Sequence, residues 1–238
     1  MENLSGKVAL ITGGSKGIGY GIAASLLQEG MKVAITGRDY PSVAKAAESL
    51  SAKGATDVLA IEADVRNYQA QEKSVAQVIE KWGRLDVLVA NAGVGHFASI
   101  EELSPEKWNE VIDINLTGVF YSVKAALAAL AATKGYIITI ASLAGTNFFA
   151  KGSAYNASKF GLVGLSQAMM LDLRNSDIKV TTIMPGSVTS HFNEHTPNPE
   201  DAWKIQPEDI GQLVVDLLEM HPRTLPSKIE VRPTKPGK

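Results

Sequence analysis

The 238-residue chain carries 23 Lys and Arg against 25 Asp and Glu, a formal net charge of −2, with 45 % hydrophobic residues and no cysteine. That length suits one large α/β domain with a sizeable core. The charge balance argues against a general nucleic-acid binder, and the lack of cysteine excludes disulfides and thiolate metal sites.

No apolar run of about 18 residues appears, so no membrane span is expected. Residues 1–7 carry no signal-peptide pattern, and a cytoplasmic chain is the expectation. The histidines His96, His191, His195 and His221 lack metal-binding spacing. His191 and His195 fall in a stretch with Pro197 and Pro199 that reads as a loop, so no metal is expected.

Lys7 to Thr12 is a short apolar run that reads as a buried strand. Thr12-Gly-Gly-Ser-Lys-Gly-Ile-Gly19 follows, then a helical pattern through Ile22, Ala23, Leu26 and Leu27 that stops at Gly30. A strand, a glycine-rich turn and a helix N-terminus form a diphosphate site, because the glycines admit backbone to phosphate and the helix end offers free N–H groups. The spacing, Gly13, Gly17, Gly19, differs from the common Gly-x-Gly-x-x-Gly.

Lys32 to Thr36 reads as the second strand, ending in Gly37-Arg38-Asp39. An acidic residue at this place binds the ribose 2′-hydroxyl of NAD; here it falls on Gly37, with Arg38 next and Lys16 in the glycine loop. Two cations around a phosphate dianion argue for NADP(H). The competing reading pairs Arg38 with Asp39 on the surface.

Ser42 to Lys53 reads as a helix, Val58 to Glu62 as the third strand, with Asp64-Val65 placed for adenine contact. Asn67 to Trp82 is helical, and Leu85 to Ala90 is a fourth strand running into Asn91-Ala92-Gly93, small enough to pass under a flat cofactor. Ser104-Pro105-Glu106 opens a long helix with Ser as its cap. Asn115 lies inside that helix and needs partners. It either packs against a neighbouring helix or holds a water or the Lys159 side chain.

Tyr136 to Ile140 is a fifth strand with Ser142 beyond its end, and a helix runs from Gly152 to about Asn175. Tyr155 and Lys159 stand one turn apart on one face of that helix. A hydroxyl, a phenol and an ammonium can meet there, and a nearby cation should bring the phenol below its ordinary pKa of about 10. Lys179 to Met184 is strand six, closed by Pro185-Gly186-Ser187-Val188-Thr189-Ser190; residues 187–206 read as a substrate lid, Pro207 to Glu219 as a last helix and Ile229 to Val231 as a last strand. The repeating β-α order predicts one α/β domain over 1–238, a doubly wound parallel sheet of about seven strands with helices on both faces. Phe148, Phe149, His96, Phe97 and the lid are expected to shape the pocket.

With these motifs in order (Thr12-Gly13-x-x-x-Gly17-x-Gly19, Asp64, Asn91-Ala92-Gly93, Asn115, Ser142, Tyr155-x-x-x-Lys159, Pro185-Gly186) the chain resembles the classical short-chain dehydrogenase/reductase family over essentially its whole length. Its general look is similar to the NADP-preferring, 3-oxoacyl-carrier-protein reductase-like group. The resemblance implies a Rossmann sheet, Tyr155 as acid/base, Ser142 orienting the substrate oxygen, and Lys159 on the nicotinamide ribose. It implies that Asn115 supports a water in a relay to Lys159. It implies NADP(H) contacts from Gly13, Ser15, Lys16, Gly17, Ile18, Gly19, Arg38, Asp64, Val65, Asn91, Ala92, Gly93, Tyr155, Lys159, Pro185, Gly186, Val188 and Ser190. A homodimer or homotetramer that reduces a small-molecule carbonyl is the implied protein, an NAD-dependent sugar or polyol dehydrogenase and a catalytically silent NADP(H) binder being the rivals. The tail departs from the family: Pro226-Ser-Lys-Ile-Glu-Val-Arg-Pro-Thr-Lys-Pro stands where most members carry a Gly-x-x-x-x-x-Asp-Gly-Gly type interface segment.

Overall fold

The computed structural model describes residues 3–52 and 57–235. Seven strands form one parallel sheet: β1 Val8–Thr12, β2 Lys32–Gly37, β3 Val58–Glu62, β4 Val87–Ala90, β5 Tyr136–Ile140, β6 Lys179–Pro185 and β7 Lys228–Val231. Their order across the sheet is β3-β2-β1-β4-β5-β6-β7. The winding reverses between β1 and β4, which opens a crevice beyond their C-terminal ends.

Every residue of β1, β4 and β5 is buried, as expected of strands covered on both faces. Alternation sorts them between two cores. Ala9 and Ile11 point to one core, which takes in Ile22, Val43 and Val214 from α1 (Gly17–Gln28), α2 (Tyr40–Ser51) and α7 (Pro207–Glu219). Val8 and Leu10 point to the other, with Val75, Val119 and Leu162 from α3 (Tyr68–Trp82), α5 (Gly118–Thr133) and α6 (Ser153–Leu173). Helices α1 and α7 approach closely because glycine faces backbone: a Cβ on Gly21 would stand 2.6 Å from the Pro207 carbonyl.

Two departures from the sequence expectation bear on the site. The second helix starts earlier, at Tyr40, because Asp39 accepts the Ser42 N–H at 3.0 Å and caps it; its expected end at Lys53 lies outside the described residues. The long helix after Ser104 is broken into α4 (Pro105–Ile112) and α5 by a π-helical segment at Asp113–Thr117. Asn115 sits in that segment, and the widened turn frees its side chain to bond outside the helix. By length and composition Pro105–Thr133 could cross a membrane. In the fold its Val119, Val123, Ala126 and Leu130 are buried against the sheet.

Candidate active site

A cleft of about 760 Å³ opens over the C-terminal ends of the strands, from the β1–α1 turn to the segment after β6. Gly13 and Gly17 both hold positive φ, +65° and +58°, which side chains resist. A Cβ on Gly13 would stand 2.9 Å from the Ala92 Cα, so this turn can sit against the β4 end only as glycine. Asn91 ties the two together, donating from Nδ2 to the Thr12 carbonyl at 2.9 Å and the Gly13 carbonyl at 3.0 Å. Thr12 Oγ1 accepts the N–H groups of Asn91 and Ala92 at 3.0 and 3.1 Å. Helix α1 begins after Lys16 with no side-chain cap, so its first N–H groups face the cleft uncapped.

At the other end of the crevice, Gly37 ends β2. A Cβ there would meet Val43 Cγ2 at 2.7 Å, so an acidic side chain does not fit this backbone. Arg38 turns into the cleft rather than onto Asp39, which is committed to capping α2. Its Nη1 lies 3.7 Å from Glu110, whose other oxygen is 2.8 Å from His96 Nε2. The His96 bond, with help from Arg38, holds the Glu110 carboxyl below its usual range against the opposing effect of burial.

The floor is made by β5 and α6. Ser142 is extended backbone just past β5, and its hydroxyl accepts the Ala144 N–H at 3.1 Å. Asn156, which the sequence reading did not single out, fixes the loop beside it: its Nδ2 donates to the Ala144 and Asn147 carbonyls, both at 2.8 Å. Its place next to Tyr155, on the buried side of α6, was the available signal. The Tyr155 ring stands at the cleft wall, edge-on to Phe97 at 5.5 Å and tilted on Phe192 at 5.5 Å.

Burial pushes the Tyr155 phenol up; the Ser142 hydroxyl beside it pulls the other way. This direction is opposite to the sequence expectation. Lys159 does not offset it: Nζ lies 5.7 Å from the Tyr155 ring centroid and donates to the Ile140 carbonyl at 3.0 Å. Lys159 is buried, and desolvation lowers its own pKa from 10.5 to about 8.

Asn115 is fully buried and does not line the cleft. Its Oδ1 accepts the Val94 N–H at 2.8 Å, and its Nδ2 donates to the Val94 carbonyl at 2.9 Å and to Ser158 Oγ at 3.0 Å. It thereby clamps the segment that follows Gly93 to helix α6, one residue from Lys159. Gly19 is also behind the wall, packed on Asn91. The Asp64 carboxylate is turned onto Arg66, at 2.6 Å, which holds its pKa down. The remaining expected residues, Gly13, Ser15, Lys16, Gly17, Ile18, Arg38, Val65, Asn91, Ala92, Gly93, Ser142, Tyr155, Lys159, Pro185, Gly186, Val188 and Ser190, all line the cleft. Glu110 on α4 and Ile114 in the π-helical segment line it too.

The segment after β6 closes over the site. Phe192 also meets Phe97 at 6.2 Å, and Gly95 makes room for it: a Cβ there would be 2.5 Å from the Phe192 ring. Asp201, buried, anchors the far end through His195 Nε2 at 2.6 Å and Lys204 Nζ at 2.5 Å, which hold its carboxyl well below its usual range.

The site suits a dinucleotide: a glycine turn pressed on the β4 end, open helix N–H groups, cations at Lys16 and Arg38, and a hydroxyl pair on the floor. Related proteins share this frame. An alcohol dehydrogenase of the archaeon Thermococcus sibiricus, solved with 5-hydroxy-NADP, is 31 % identical and superposes with a TM-score of 0.90, covering 96 % of this chain and 97 % of its own. A short-chain dehydrogenase/reductase from Burkholderia phymatum, in complex with NAD, is 25 % identical with a TM-score of 0.87, covering 97 % and 90 %. An uncharacterized oxidoreductase of Staphylococcus saprophyticus is 32 % identical over 238 residues, 98 % of this chain and the whole of that one. The family model described as short chain dehydrogenase matches residues 7–201, from the first strand into the lid. A match of that extent, over a cleft built in this way, makes the chain a member of the short-chain dehydrogenase family.

Proposed function

We propose that the protein is an NADPH-dependent reductase of ketones or aldehydes on small or acyl substrates, a cytoplasmic enzyme reversible in principle, with Tyr155 as the acid/base. One observation carries the reading: the Ser142 hydroxyl and the Tyr155 phenol line the floor of one cleft that begins at an uncapped glycine turn. When bound, the nicotinamide supplies the hydride. Ser142 holds the carbonyl oxygen, and Tyr155 gives it a proton as charge develops. Burial keeps the phenol protonated, so Tyr155 carries the proton that the reducing direction consumes. Lys159, part of the cleft wall, would meet the ribose and return a proton to Tyr155. Asn115 acts on Lys159 by holding Ser158, the residue before it, against the Val94 segment.

Lys16 and Arg38 together, with no acid admitted at Gly37, support NADP(H). The Glu110 carboxylate beside Arg38 favours the rival, an NAD-dependent sugar or polyol dehydrogenase, because it offsets one of the two cations. Titration of the purified protein with NADPH and NADH, read by nicotinamide fluorescence, separates them. NADPH should bind at least tenfold tighter, and Arg38→Asp should abolish that margin. Equal affinities, or a margin untouched in Arg38→Asp, would overturn the assignment. Binding of neither nucleotide would overturn the reductase reading itself. The residues at 187–206 act as a lid over one domain spanning 1–238. Exposed Phe120, Phe160 and Leu171 on α5 and α6 support a homodimer or homotetramer.

A further inference from the structure

The tail after β7 is where the sequence departs from its family, and it reaches the reaction floor. Strand β7 lies parallel to β6 with Val231 opposite Pro185, and Gly186 N–H donates to the Val231 carbonyl at 2.8 Å. Pro233 packs against Gly186, where a Cβ would stand 3.3 Å from the proline ring. Arg232, between these two contacts, is therefore pinned beside the turn that follows β6.

A second cavity, of about 680 Å³, runs from there to the reacting groups. It shares Ser142 and Tyr155 with the main cleft, Phe149 and Trp203 line it, and Arg232 and Lys235 stand on its tail side. Among the described residues no Asp or Glu lines it. Arg232 gives one N–H to Glu230, at 2.8 Å, on the exposed side of the strand. A guanidinium has five N–H donors, so that pair leaves most of the fork uncommitted, and exposed pairs of this kind hold weakly.

We infer that the substrate is a carbonyl compound with an apolar or aromatic body and an anionic group, carboxylate or phosphate, held by Arg232 and Lys235. The carbonyl lies at Ser142 and Tyr155, the body passes Phe149 and Trp203, and the anion meets the tail. This rests on the reductase reading for the position of the carbonyl, not for the existence of the anion site. The position also gives the unusual tail a role: it carries specificity in place of an interface.

The test is calorimetric and needs no turnover. Full-length protein, with and without NADP⁺, is titrated with ω-phenylalkanoates of two to five methylenes, with the matching phosphonates, and with the neutral amides. The best acid should bind about 10- to 100-fold tighter than its amide, the range of a charge-assisted hydrogen bond. That margin should shrink in high salt and disappear in Arg232→Ala/Lys235→Ala, with Arg232→Gln intermediate. The carboxylate and phosphonate series tell which anion fits. Equal binding of acid and amide, a margin that survives the double substitution, or no binding by any acid would overturn the inference. A protein that reduces neutral ketones yet shows no acid margin would refute the anion site alone. One that shows the margin yet reduces nothing would refute the reductase reading alone.

Discussion

Replacing Lys159 by Met should make the protein more stable while removing a group from the reaction floor. The ammonium is buried, and its pKa falls from 10.5 to about 8 because burial disfavours the charged form. By linkage, below pH 8 both folded and unfolded chains carry the proton, and the folded state bears the full cost, about 3 kcal/mol at 1.36 kcal/mol per pKa unit. Met keeps the length of the stem but loses the 3.0 Å bond to the Ile140 carbonyl, worth about 1 kcal/mol. The net gain is about 2 kcal/mol, which raises Tm by about 4–8 °C for a chain of this size. The sign then fixes the pH dependence. Between pH 8 and 10.5 the folded chain sheds the proton while the unfolded chain keeps it, so the cost fades and wild type catches up. At pH 9.5 the gain should fall to about 0.5 kcal/mol. Urea unfolding of both proteins at pH 7 and 9.5 reads this directly. A variant less stable than wild type at pH 7, or a difference unchanged at pH 9.5, would refute the buried-charge reasoning.

Thr36→Val should stabilise the protein by about 1 kcal/mol, because the Thr36 hydroxyl is buried with no hydrogen-bond partner among the described residues; urea unfolding with no gain would contradict this. Glu110→Gln should strengthen NADPH binding several-fold more than NADH binding in fluorescence titration, since it frees Arg38; an equal change in both would place Glu110 outside the selection of the phosphate. Asp201→Asn should loosen the lid and raise KM more than it lowers kcat, with faster proteolysis near residues 191–204; unchanged KM and cleavage would remove Asp201 from lid closure.

The order of elements was legible in the sequence because parallel strands buried on both faces read as short, unbroken apolar runs, and β1, β4 and β5 are of this kind. The meeting of Ser142, Tyr155 and Lys159 was legible because one strand end and one helical turn suffice to place them. Contacts that depend on the path between elements were not. Arg38 could equally have paired with Asp39; it faces Glu110 because Asp39 is taken by the α2 cap. The π-helical turn at Asn115 leaves no mark in the apolar period, and the Val94 clamp it makes possible joins residues 21 apart. The direction of the Tyr155 shift turned on the rings of Phe97 and Phe192, which come from two loops far apart in the chain. The position of the tail depended on β7 pairing with β6, which short strands do not announce.

The central claim is that Tyr155 supplies the proton in a nicotinamide-dependent carbonyl reduction. It is tested most directly by following NADPH oxidation at saturating activated ketone in wild type and Tyr155→Phe, with NADPH affinity measured on both. The account predicts clear turnover in wild type, a loss of about 10²- to 10⁴-fold in kcat in the variant, and NADPH binding within a few-fold of wild type. A Tyr155→Phe protein that turns over at the wild-type rate would contradict it.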